Sequence, residues 1–285
     1  MDRGLWWLAL GVAVAVLLGP LLIADVPPIL DYPNHLARVY IIEHLNEMPA
    51  YFANYDLAIK PIPNVAIDLF VPVLQRVFDI ETSGKIFLTL TVLIYCLGCH
   101  VFGKAVHGRA TWMAPLCALL CFNLMFLTGF VNYIFGVGMF LIAQAYWLRY
   151  HQRWTFWRLA GISALFFFSY LSHLSAYSFL GFTCVIVCFC ELPRTRRVTW
   201  SMALSLLPLV PPVLAFKLFM SKGGTVGTIV WSTVFDKIKD FAVLFRTYDH
   251  LFDGLLLIAM LAVAGWLLRR SRVAWKDRRM LAAGS

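Results

Sequence analysis

Within the stretch DYPNHLAR, Asp31, His35 and Arg38 have the types and spacing for acid–base chemistry beside a phosphate. A carboxylate takes a proton from an acceptor hydroxyl, a nearby imidazole orients or assists it, and a guanidinium holds phosphate oxygens. A structural reading competes: Asp31 stands where a helix N-cap would, with Pro33 tolerated in the first turn, so its carboxylate would receive backbone N–H groups. Asp25 is a further candidate acid, although an acid at the end of an apolar run is most often just the residue that reaches water. His35 and His44 with Asp31 or Glu43 leave a divalent metal open, but their spacing matches no metal motif. Arg246 and His250, much later in the chain, are candidate contacts for a leaving phosphate. Asn132 in GFVNYIFG and His173 in YLSHLSAY fall near helix ends, where a polar side chain lines a wet cleft or makes an interhelical hydrogen bond.

Apolar runs surround these residues. A chain of 285 residues that is 61% hydrophobic and 14% charged, with a mean hydropathy of +0.77, carries more apolar surface than a water-soluble fold buries. It is expected to be an all-α polytopic integral membrane protein with a single membrane domain. The net charge of +9 lies in short clusters between apolar runs, which suits loops at a membrane surface and argues against nucleic-acid binding. The seven cysteines lie in or beside apolar runs, where they pack as small side chains; the Cys96–Cys99 pair alone does not indicate zinc or redox work.

About eight spans are expected. The first, residues 5–24, is read as a retained anchor, because the bulky Leu22 stands where a leader-cleavage site wants a small residue. Others fall at 86–102, 110–127, 130–148, 200–219 and 251–268, and the long run 157–190 must be a hairpin turning near Ser172 to Ser175 with His173 at its tip. Arginine clusters flank that run, which puts its ends and both termini on the cytoplasmic side. The region 85–219 is then a helical bundle, and residues 269–285 form a cytoplasmic tail.

On the outer side, residues 25–84 form a long loop with two interfacial helices, Asn34 to Met48 and Asn64 to Phe78. The second is too short, and too broken by Asp68, Pro72 and Arg76, to count as a span. A second outer loop, 220–250, carries a surface helix over Ser232 to Phe245.

This layout resembles the C-type glycosyltransferase superfamily, polytopic enzymes that use lipid-phosphate-linked sugars and include protein mannosyltransferases and aminoarabinose transferases. DYPNHLAR is similar to their acidic first-loop motif, and GFVNYIFGVGMFLIAQAYWLR with SYLSHLSAY to helices of bacterial members, over roughly Leu5 to Leu192. The resemblance implies that Asp31 takes the place of the catalytic base, with a lipid-linked sugar donor and membrane lipids as partners; no cofactor is assigned, and a divalent metal stays open. Tyr32 follows Asp31 where many members have a second acid. The chain is short for the superfamily, and its tail, WKDRRMLAAGS, reads like a fragment's loop entering another helix. The expected function is inverting sugar transfer at the extracytoplasmic face of a bacterial inner membrane. The alternatives are a transporter or lipid flippase, and a noncatalytic subunit or fragment.

Overall fold

The structure, a computed structural model, describes residues 3–57, 60–195 and 199–220, and isolated positions between 233 and 265. The surface helix read at Ser232 to Phe245 lies almost wholly outside the described residues, as do His250 and the 269–285 tail; the 251–268 span is described only in part. Among the described residues the chain is helical, without strands.

The first helix, α1 (Arg3–Ile23), buries Trp6, Ala13, Leu17 and Leu21 along one stripe and exposes Leu5, Leu8, Val12 and Val16 on the other side. A helix that is apolar all round suits a bilayer, where the outward face meets lipid instead of water. Two short helices follow, α2 (Tyr32–Glu43) and α3 (Pro49–Asn54), then α4 (Ala66–Gln75). The long α5 (Ile80–His107) starts at Asp79, whose carboxylate accepts the Thr82 N–H at 2.7 Å, and stops at Gly108 in the left-handed region, φ 68°. Next come α6 (Met113–Ala118), a 3₁₀ turn and α7 (Leu124–Leu127). The bundle continues through α8 (Val131–Tyr150), α9 (Phe156–Ser172) and α10 (Leu174–Thr195). Finally α11 (Trp200–Leu206) leads through a 3₁₀ turn into α12 (Val210–Phe219).

At the centre, α5 and α8 run parallel. Phe87 stacks on Phe135 near their N-terminal ends, at 5.5 Å between ring centroids, and Gly98 meets Gly138 farther along. A Cβ on Gly138 would lie 2.8 Å from the backbone of Ile94, and one on Gly98 would lie 2.7 Å from the Gly138 carbonyl oxygen. Small residues let two membrane helices approach this closely. Parallel neighbours require the intervening chain to recross the bundle, which residues 109–130 do.

Among the described residues five helices are long and apolar enough to cross a membrane, Gly4–Ile23, Ile80–His107, Val131–Tyr150, Leu174–Leu192 and Trp200–Phe219, so this is an integral membrane protein. These five do not confirm the eight spans expected, since two of the expected spans are shorter or broken helices and 251–268 is described only in part. Residues 110–127 break at Phe122, and Asn123 caps the short α7 by accepting the Phe126 N–H. At 17 residues, α9 rises only about 26 Å, short of a hydrocarbon core of about 30 Å. The run 157–190 does turn at His173, between α9 and α10.

The interfacial helices also differ from the sequence reading. The first ends at Glu43, before a series of turns, and does not extend to Met48. The second, α4, docks on the bundle: Ile67 and Val71 are buried, and Phe70 packs on Phe87 and Phe135 at 6.0 and 5.6 Å. Its opposite side exposes Leu69 and Val73.

Candidate functional site

Asp31 is the residue before α2, but it does not cap the helix with its side chain. An N-cap carboxylate accepts from the second or third helical amide, and here the second is Pro33, which has no N–H. The backbone at Asp31, φ −91° and ψ 1°, also departs from the extended geometry of a capping residue. Among the described residues its exposed carboxylate is tethered by the Asn34 side-chain amide, which donates to Oδ1 at 3.4 Å.

The backbone around Asp31 is fixed from another element. The N–H groups of Leu30 and Asp31 donate to the carbonyls of Leu127 and Thr128, at 2.9 and 3.2 Å, satisfying acceptors at the end of α7. Gly129 follows with φ 105°, and a Cβ there would lie 2.5 Å from the Asp31 Cβ. Both the backbone angle and the close approach demand glycine.

His35 and Arg38 join a chain of hydrogen bonds. The Gly129 carbonyl can only accept, so His35 Nε2 carries the hydrogen it donates at 3.0 Å. Nδ1 is then the acceptor for Arg38 Nη2, at 3.2 Å. Arg38 Nε and Nη2 grip the two oxygens of Asp68 on α4 at 2.8 and 2.9 Å. Burial first, then the Arg38 charge, pushes His35 below its ordinary pKa of 6.5, against the opposing pull of the Gly129 hydrogen bond. With both nitrogens engaged, His35 is suited to holding α2 in place rather than taking a proton. Arg38 keeps Nη1 without a hydrogen bond among the described residues.

Asn132 is 1% exposed and serves the same loop. Its amide oxygen accepts the Ile67 N–H at 2.9 Å, capping α4 from a different helix, while its nitrogen donates to the Asn64 carbonyl and side-chain oxygens at 2.9 and 3.1 Å. The Val65 N–H donates to the Leu171 carbonyl and the Tyr170 hydroxyl to the Pro61 carbonyl, so residues 61–67 are strapped across the ends of α8 and α9. Asn132 thus has the interhelical role. His173 accepts the Ser175 N–H at Nδ1 and sits edge-on to Tyr133, with no bond to Asp31, His35 or Arg38. Asp25 is exposed in the bend after α1, Arg246 is exposed, and His250 is outside the described residues. His44 packs on Tyr40, at 4.0 Å between rings, and its Nδ1 bonds the Tyr40 carbonyl. No three His, Cys, Asp or Glu side chains gather as a metal site among the described residues.

Two contributors escaped the sequence reading. Asp68 registered only as a charge that disfavoured a span, and Gly129 only as part of a helix-start string. Tyr32 turns away from the site: it is buried, and a Cβ on Gly84 of α5 would collide with its hydroxyl. An acid at that position would therefore face the bundle.

A cavity of about 540 Å³ runs along α2, with Ala37, Ile41, Ile42 and Leu45 as its apolar wall, Tyr55 to Leu57 opposite, and Asn34 and Arg38 also lining it. Asn34 is the tether of Asp31, so acid, cation and apolar trough adjoin. Compared with protein-family models, curated proteins and solved structures, the chain matches none of them.

Proposed function

We propose that the chain is a membrane glycosyltransferase that moves a sugar from a polyprenyl-phosphate donor to an acceptor hydroxyl at the extracytoplasmic face. The observation that carries this reading is the Asp31 carboxylate, at a helix start yet uncapped, beside a trough with an apolar wall that Arg38, Asn34 and Asp56 also line. The trough accepts the first isoprene units of the donor. Arg38, steadied by Asp68, offers Nη1 to the phosphate. The acceptor oxygen attacks the sugar's anomeric carbon as its proton passes to Asp31, the bond to the phosphate oxygen breaks, and the polyprenyl phosphate leaves with the electron pair. On this reading both termini are cytoplasmic, in a bacterial inner membrane.

The test is release of free polyprenyl phosphate from a panel of lipid-linked sugars offered with candidate acceptors to the purified protein. Asp31→Asn should lower turnover at least about a hundredfold, the lower range for loss of a general base, with donor binding retained. Turnover that survives the substitution removes Asp31 from the base role. The break at Phe122 favours a second reading, a transporter or lipid flippase, because interrupted helices are a transporter feature. Solute or lipid movement in sealed vesicles without a covalent product would select it.

A further inference from the structure

At the face of the bundle opposite Asp31, two adjoining cavities of about 560 and 550 Å³ share His100, Lys104 and Gly108. They lie where the start of α1, the end of α5 and the end of α8 meet. Lys104 and Arg109 line one and Lys104 and Arg149 the other, and among the described residues no carboxylate lines either. None of these three cations has an ion pair among the described residues.

The surroundings are aromatic and shaped. His100 packs against both Trp6 and Trp7, with ring centroids 4.8 and 5.7 Å away, and Trp6 is anchored by its indole N–H, which donates to the Thr111 carbonyl at 2.9 Å. His100 Nδ1 is enclosed without a hydrogen-bond partner among the described residues. Just beyond the cations, Leu5, Trp7, Leu8 and Leu97 expose apolar side chains on the flanks of α1 and α5.

We propose that this cleft binds the phosphate headgroup of an anionic phospholipid. Three cations with no carboxylate beside them among the described residues give a local excess of positive charge, and a basic pocket between membrane helices matches an anionic headgroup. Tryptophans at the mouth suit the level of the headgroups. The apolar flanks of α1 and α5 receive the acyl chains, which a soluble phosphate lacks. With three cations available, a lipid carrying two phosphates binds more tightly than one carrying a single phosphate. This site is independent of the glycosyltransferase reading.

The experiment is native mass spectrometry of the purified full chain titrated with phosphatidylglycerol, diphosphatidylglycerol and phosphatidylcholine, with inorganic phosphate and pyrophosphate as competitors. Diphosphatidylglycerol should bind best and phosphatidylcholine least, with added salt weakening the anionic lipids. Lys104→Gln should weaken the binding of diphosphatidylglycerol about fivefold, the worth of one cation near a lipid surface, and Arg109→Gln and Arg149→Gln similarly. Arg153→Gln removes a positive charge from the loop after α8 without touching either cavity, and should leave binding unchanged. Thermal melts in phosphatidylcholine confirm that each variant is folded. Equal binding by the wild type and all three cleft variants overturns the proposal, as does an equal loss in Arg153→Gln, which would mark diffuse surface attraction. Displacement of lipid by inorganic phosphate at similar concentration would reassign the cleft to a soluble anion.

Discussion

At the start of α2, Pro33 removes one of the amides that a capping carboxylate would accept, and the proline that makes Asp31 look like a cap also frees it. Gly129 sets its position. Gly129→Ala should strain the backbone and push Asp31 away, reducing any Asp31-dependent turnover more than it lowers melting temperature; an unchanged turnover would show that the approach is not critical. His35 gives a pH prediction. Its folded pKa is lowered, so the unfolded chain binds a proton first, and stability present above pH 6.5 is lost as pH falls from 6.5 through the folded value. Protonation at Nδ1 would also turn the acceptor of Arg38 into a second donor. Melts between pH 7.5 and 5 should show acid loss that His35→Gln diminishes; equal slopes would refute the link. The Arg38–Asp68 pair is exposed enough, at 44% and 16% of the two side chains, that a double-mutant cycle should yield only about 1 kcal/mol of coupling. None of this pairing was legible in advance, because Arg38 and Asp68 are 30 residues apart on separate helices and no periodicity connects them.

At the scale of elements, apolar length was the most readable property, since a bilayer demands it regardless of the partners a helix finds. That is why α1, α8 and the turn at His173 were foreseeable from the chain. The break at Phe122 was not: it depends on Asn123 bonding the Phe126 amide, and asparagine occurs within helices as well as at their starts. Nor was the depth at which α4 sits, which depends on Phe70 finding Phe87 and Phe135. The glycine crossing of α5 and α8 supplies a direct test. Gly138→Leu must displace backbone rather than a flexible side chain, so destabilisation of about 1–3 kcal/mol is expected, read as a lower melting temperature in detergent. Gly11→Leu, on the part of α1 with open space around its Cα, should be nearly neutral, and similar losses in both would show that the crossing is not specially tight.

At the scale of the whole molecule, one end gathers the 25–79 loop, the starts of α5, α8 and α10, and the ends of α1 and α9; the other gathers the cationic cleft. Labels placed at Asn46 and Gln152 should therefore react from opposite sides of sealed vesicles, and labelling of both from one side would contradict this arrangement. The strapped loop has a consequence for biosynthesis. His35 closes on Gly129 across 94 residues, and Tyr170 closes on Pro61 across 109. Asp31 therefore leaves the ribosome long before the chain that holds it, and at about 5–20 residues per second the wait is on the order of 5–20 s. A nascent chain stopped before Leu127 contains every residue of DYPNHLAR, and Asp68 for Arg38, but not the Leu127, Thr128 and Gly129 carbonyls that hold Leu30, Asp31 and His35. The acid is translated early and assembled late, so the loop waits without these later partners until α8 and α9 arrive.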